Sequence, residues 1–284
     1  MKCFGTISLT ESIMTLHTRI KDLTAFGNDL QELGGNITVR NGTAVLDQIG
    51  FVCKAAKMQL TALYKTPRVN HIFLGLDFHL LDIGISELID MIPAVDTLVP
   101  MLSAFDGNAD FHLCAETYVD AFYQPKMSTL RGVAALTGKD LVVLDSETFD
   151  KIAKLMMFKK STRNVIDSLD VEMTVFRKEV ELYPFLLSMD KYQVVASGRH
   201  NLDNNYNYHL EILQSPLPTR LAVDVLGVMP KLGFKLGKCR YAELYKPEKR
   251  NDLQKQTLEL KGMIRKSLES NVKQDTRTYQ GLGQ

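Results

Sequence analysis

Ala109-Asp110-Phe111-His112-Leu113-Cys114-Ala115-Glu116-Thr117-Tyr118-Val119-Asp120-Ala121 is the stretch that decides the fold class. Its odd positions are apolar apart from Thr117, and its even positions hold Asp110, His112, Cys114, Glu116, Tyr118 and Asp120. A period of two belongs to a β-strand, because successive side chains point to opposite faces; one face is expected to be wet and the other covered. The same alternation places Ile72, Leu74, Leu76, Phe78 and Leu80 on one face, and Leu169, Val171, Met173 and Val175 on another. It breaks at Arg177-Lys178 and resumes in the other phase with Val180 and Leu182, which calls for a turn or bulge over Arg177–Glu179.

The clearest hairpin is Tyr192–Asn201 returning through Tyr206–Leu213. Pairing Ala196 with Ile212 and Gly198 with Leu210 keeps the apolar faces together and predicts a three-residue loop, Asp203-Asn204-Asn205. Helices are few. Ser86 is expected to cap one through Met91, with a second short piece from Val95 to Leu102. Asp145 or Ser146 caps another, with Phe149, Ile152, Ala153, Met156 and Met157 on one face. The last helix begins near Pro247 and buries Leu253, Leu260, Ile264 and Leu268. Phe51 and Lys57 match Phe185 and Lys191 at a constant offset, a weak internal repeat.

The chain therefore reads as mainly β with a few helices (α+β). A long curved antiparallel sheet or groove is expected, built from repeated strand blocks with helices between them and a C-terminal helix. The first β-rich block spans 1–145, with a helical insertion near 86–104. The second spans 146–246, led by a short helix. Helix 247–273 and a disordered tail, 274–284, follow.

Composition narrows the function. The 284 residues carry 34 Lys+Arg against 33 Asp+Glu, a net charge of +1 that gives no global attraction to nucleic acid. No apolar run approaches the roughly 20 residues of a membrane-spanning helix, and the first residues lack a signal-peptide pattern. Charge is uneven: residues 231–273 hold 12 basic and 5 acidic side chains. That basic end reads first as a solvated helix face, and second as a contact for anionic headgroups or an acidic partner.

Cys3, Cys53, Cys114 and Cys239 show no paired spacing and read as structural thiols, with the disulfide state left open. Nucleophile elbows, phosphate-binding loops, zinc-protease motifs and dinucleotide fingerprints are all missing from the sequence. His71 and His79 lie about 27 Å apart along an extended strand, too far to share an ion. His200 and His209 flank the hairpin turn but fall on opposite faces in the expected register. The Asp203-Asn204-Asn205 cluster has too few ligands for calcium, and turn chemistry accounts for it. Tyr183, Tyr192, Tyr206 and Tyr208 read as cross-strand sheet stabilisers in preference to a stacking platform. No cofactor, no metal and no catalytic residue is expected.

One overall pattern resembles a known family. Gly75-Leu-Asp-Phe-His-Leu-Leu-Asp-Ile83, the block Ser86–Phe105 with its two prolines, and Phe111–Tyr118 resemble the C-terminal region of AsmA-like proteins. So do Arg131-Gly-Val-Ala-Ala-Leu-Thr-Gly-Lys-Asp-Leu141, the helix at Phe149–Met157, and Val171–Ile212. The likeness covers residues 30–270 and rests on strand–helix order, with no sharp motif. It implies a periplasmic β-groove attached to the inner membrane of Gram-negative bacteria by an N-terminal helix. It also implies a role in outer-membrane biogenesis, sheltering or moving phospholipid. The anchor is absent from this chain, which is then expected to be a C-terminal piece, a truncated reading frame or an engineered fragment, with Met1 not necessarily the natural start.

On that resemblance, Ile72, Leu74, Leu76, Phe78, Phe111, Leu113, Val194, Ala196, Leu210 and Ile212 are expected to line a trough. A hydrocarbon chain gains about 0.8 kcal/mol per methylene buried in such a trough. The competing reading packs the same residues against the helices at 86–103 and 146–157. A second function class is an interaction module that docks an outer-membrane assembly partner through sheet edges without lipid. A third is a β-rich hydrolase with a dispersed site, disfavoured by the missing triad.

Overall fold

The computed structural model describes residues 14–246 other than 26–27, 41, 54–55, 69–70, 92–101, 123, 145, 159–164, 204, 217–219 and 229–230. The expected helix after Pro247, the tail and Cys3 lie outside the described residues, as does Val95–Met101 of the second helical piece. The chain is mainly β, as the alternation requires. The strands β1 (Met14–Ala25), β2 (Asn28–Arg40), β3 (Thr43–Cys53), β4 (Ala56–Arg68) and β5 (His71–Gly84) come first. Helix α1 (Ile85–Met91) and the two-residue β6 (Phe105–Asp106) precede β7 (Asn108–Val119) and β8 (Arg131–Val143). Helix α2 (Ser146–Leu155) leads β9 (Val165–Phe176), β10 (Glu179–Met189) and β11 (Tyr192–Asn201). Then come β12 (Asn205–Gln214), β13 (Ala222–Val228) and β14 (Lys231–Leu236). Together they form one large antiparallel sheet in which spatial order follows chain order, apart from β6, which pairs with β8.

Two compact units share the chain. The first comprises Met1–Leu80, Leu113–Leu130 and Arg265–Gln284. Its strands carry paired irregularities where Glu32 (φ 55°) and Gln48 (φ 50°) take the left-handed region and the β2–β3 register slips. Gly35 (φ 150°) lies between them, and a Cβ there would stand 2.6 Å from Ile49 Cδ1 and 2.8 Å from its Cα, so only glycine fits. Val45 and Leu63 are buried with Phe73 packed on them. Tyr118 stacks on the ring of His71 at 3.9 Å and meets Phe73 edge-on.

Strand β7 departs from its sequence reading. Ala109, Phe111, Thr117 and Val119 are buried as alternation predicts, but His112 and Cys114 on the other face are buried too. Protein covers both faces of the strand there, so the expected wet face is lost in its middle.

The second unit comprises Leu81–His112 and Arg131–Ile264. Ser86 does not cap α1: the helix starts a residue earlier, where the Ile85 N–H donates to the Gly107 carbonyl at 3.0 Å, and the Ser86 hydroxyl turns to Glu87. At the far end of the insertion, Leu102–Ala104 forms a single 3₁₀ turn. Helix α2 forms where expected, but Met157 is not on its buried face. With φ 55° and 55% exposure it ends the helix, while Met156 is buried. The Phe158 N–H donates to the Ala153 carbonyl and the Met157 N–H to Lys154, the bonding of a Schellman cap.

The phase change after Val175 is a two-residue turn, Arg177-Lys178, with Phe176 paired to Glu179 and φ 59° at Arg177. Strand β10 then bulges. Leu182 pairs with Gly198, whereas Phe185 pairs with Ala196, so three steps on β10 match two on β11. Pro184 sits in that bulge, where its missing N–H removes no ladder bond. The β11–β12 hairpin keeps the expected faces but shifts by two in register: Ala196 pairs with Leu210 and Val194 with Ile212. The cause is Asn201, whose side-chain carbonyl accepts the N–H groups of Asp203 and Asn205, both at 3.0 Å. This Asx-type bonding centres the turn on Asp203, one residue earlier than the expected Asn204.

Candidate functional site

Beneath α2 and the 3₁₀ turn, the second unit holds an apolar cavity of about 130 Å³, set in a wider recess of about 920 Å³ that includes space open to solvent. Its floor is the sheet. Leu136 of β8 and Leu169, Val171 and Met173 of β9 supply one side. The bulge in β10 brings Leu182, Phe185 and Leu187 to the same face, which an unbroken period of two forbids for residues of mixed parity. Ala196, Leu210, Tyr206, Tyr208, Val225 and Leu232 complete the floor. Leu102, Phe105 and Ile152 form the roof.

Among the described residues the wall carries no charged side chain. Its polar fringe comes from aromatic neighbours: the Tyr208 hydroxyl is hydrogen-bonded to His200 Nδ1 at 2.8 Å, and the rings of His200 and Tyr206 stack at 5.4 Å. Burial, with the neighbouring Tyr206 second, pushes the Tyr208 hydroxyl well above its ordinary range. A dry apolar cavity of about 150 Å³ is enough to bind benzene. This one accommodates a few methylenes, each contributing about 0.8 kcal/mol, with the rest of a chain left to the open recess.

Of the residues expected to line a trough, Ala196 and Leu210 are in this wall. Val194 and Ile212 pair with each other on the same face but are fully packed. Phe111 in the second unit and Ile72 in the first are buried and outside this wall. Leu74, Leu76, Phe78 and Leu113 are half-buried in the first unit. The competing expectation is met in part, since α2 and Leu102 do cover this face. Leu182, Phe185 and Leu187 escaped the sequence reading because the bulge that unites them leaves no mark in hydropathy. The remaining signal was Pro184 inside an apolar run.

The opposite face of β11–β13 carries a polar cluster that the sequence did not reveal. Ser197, His209 and Asp224 face one another across three strands. His209 Nδ1 is 2.6 Å from Asp224 Oδ1, and its Nε2 is 3.6 Å from the buried Glu211. Glu211 accepts the N–H groups of Arg240 (2.6 Å) and Tyr241 (3.0 Å) and the Tyr245 hydroxyl (3.0 Å). Ser197 is hydrogen-bonded to the Tyr241 hydroxyl. These are the residue types of a hydrolytic triad, yet Ser197 is engaged by Tyr241 and the free ring nitrogen of His209 is turned to a carboxylate. Cys239, the exposed free thiol among the described residues, is pushed up by burial and then by Glu211, which leaves it a poor nucleophile. The cluster clasps the segment 237–245 to the sheet. His200 and His209 fall on opposite faces, as expected, one beside the cavity and one in the clasp. No protein-family model, curated protein or solved structure matches this chain.

Proposed function

We propose that this chain is the non-enzymatic, lipid-handling β-module of an AsmA-like envelope protein. On this reading it works in the periplasm of a Gram-negative cell, attached to the inner membrane through an anchor outside this sequence, in outer-membrane biogenesis. Its repeated strand blocks form a curved trough that shelters phospholipid acyl chains, and the cavity beneath α2 is where a chain end is held. The observation that carries the reading is this cavity: uncharged, walled by aliphatic and aromatic side chains, and continuous with open space. The order of strands and helices supports the family, and the protonated Tyr208 keeps the wall neutral.

An uncharged wall recognises hydrocarbon and leaves the headgroup in water, so chain length is selected and headgroup is not. Native mass spectrometry of the purified chain is expected to show bound lipid. Leu210→Lys places an ammonium at the half-buried edge of the wall and is expected to abolish that mass, and the displacement of a fluorescent fatty acid, while the melting temperature holds. A clean protein mass from the unaltered chain overturns the lipid reading and favours a module that docks an assembly partner through its sheet edges.

A further inference from the structure

We propose that β14, Lys231–Leu236, is a docking edge for an acidic, extended peptide segment of a partner protein, which adds to the sheet as a further strand. This inference goes beyond the lipid reading and does not depend on it. Among the described residues the sheet ends at β14, which pairs with β13 on one side and has no strand on the other. Such an edge presents a row of unpaired N–H and C=O groups to a chain that runs alongside it. Alternation gives β14 two unlike faces. Leu232, Phe234 and Leu236 share one, and Lys231 and Lys235 the other. Leu236 is 63% exposed, and the cavity floor ends at Leu232, so an apolar side chain on an added strand extends that floor. Helix α2 packs against β14 and sets the ammonium of Lys151 6.0 Å from the centre of the Phe234 ring. In strand addition the main chain supplies affinity and alternate side chains supply specificity, and β14 offers both.

Charge selects the partner. From Lys231 to Lys246 the chain carries five basic residues and one acidic, Glu243. Arg240 reaches Asp224 at 3.7 Å and Lys246 reaches Glu243 at 3.5 Å. Lys231, Lys235 and Lys238 are exposed and have no ion pair among the described residues. The buried carboxylates nearby are already engaged: Asp224 by His209, and Glu211 by the N–H groups of Arg240 and Tyr241. Lysines guard an edge against a second copy of itself, because two such edges repel. The same field favours a strand of opposite charge. Carboxylates at alternate positions then face Lys231 and Lys235, and apolar residues between them face Leu232 and Phe234. Single-stranded nucleic acid fits less well, because it needs open aromatic faces. Phe234 lies under Lys151, and Arg220 covers the Tyr245 ring at 4.2 Å.

Fluorescence anisotropy of the full chain with fluorescein-labelled peptides tests this. A peptide of alternating valine and glutamate is expected to bind, and its valine–lysine counterpart is not. A proline–glutamate peptide keeps the charge but lacks half of the N–H donors, and is expected to bind at least tenfold more weakly. Lys231→Glu combined with Lys235→Gln changes two exposed side chains and puts no carboxylate across from Asp224. The double variant is expected to keep its melting temperature, to bind the valine–glutamate peptide about tenfold more weakly and to admit the valine–lysine peptide. No binding of the valine–glutamate peptide, equal binding of either control peptide, undiminished affinity in the double variant, or tighter binding of a single-stranded oligothymidine overturns the proposal. Leu210→Lys separates the two readings: a variant that has lost lipid is still expected to bind the peptide, and a chain that holds lipid but no peptide keeps the lipid reading alone.

Discussion

Met157 takes the position after α2 that glycine usually holds. A left-handed backbone costs a non-glycine residue roughly 1–2 kcal/mol, and the exposed Met157 side chain returns little packing to offset it. Met157→Gly is therefore expected to raise stability by about 1 kcal/mol, after the greater freedom of glycine in the unfolded chain is subtracted; urea titration measures it. Tyr208 governs the alkaline limit in the opposite sense. Its folded hydroxyl holds its proton more tightly than the ordinary tyrosine near pH 10. Its contribution is thus fully present below pH 10 and is lost as pH rises above that toward the folded value. Tyr245, raised by burial and by its bond to Glu211, adds to the same loss. Tyr208→Phe is expected to cost about 1 kcal/mol at neutral pH, through its bond to His200, and to flatten the fall in urea midpoint between pH 9 and 11.

At the scale of elements, the clasp and the bulge carry the weight. Segment 237–245 is held by a fully buried Glu211 that gathers two backbone N–H groups and a phenol. Glu211→Gln replaces a charged acceptor of the Arg240 and Tyr241 N–H groups with a neutral amide. The expected cost is about 1.5–3 kcal/mol, localised so that the amides of Arg240 and Tyr241 exchange at least tenfold faster while the amides of β11 and β12 hold; hydrogen exchange resolves the two. The strand from Leu169 to Val175 and the β11–β12 hairpin were legible from period two, and so was a break over Arg177–Glu179, though not whether it was a turn or a bulge, because alternation reports directly on which face is covered. The bulge at Pro184 and the clasp were not. A bulge adds one residue without changing composition, and Glu211 in β12 looks like any solvated strand carboxylate until the later segment folds onto it. The β11–β12 register slipped in the reading for a similar reason: both registers keep the apolar faces matched, and only the Asn201 side chain decides between them.

For the whole molecule, the class of fold followed from the sequence because a strand-rich chain of this length has few ways to cover so many alternating faces. Little of the candidate cavity was legible. Ala196 and Leu210 were named from their face, but the roof of Leu102, Phe105 and Ile152 depends on helices whose landing place no local pattern encodes.

The plain succession of strands has a kinetic consequence. Nearly every strand finds its partner in the segment made just before it, so the long loop closures that slow most β-proteins are rare here. A chain emerging from the ribosome can add one hairpin at a time to the edge already formed, each new ribbon capping the last before the next is synthesised.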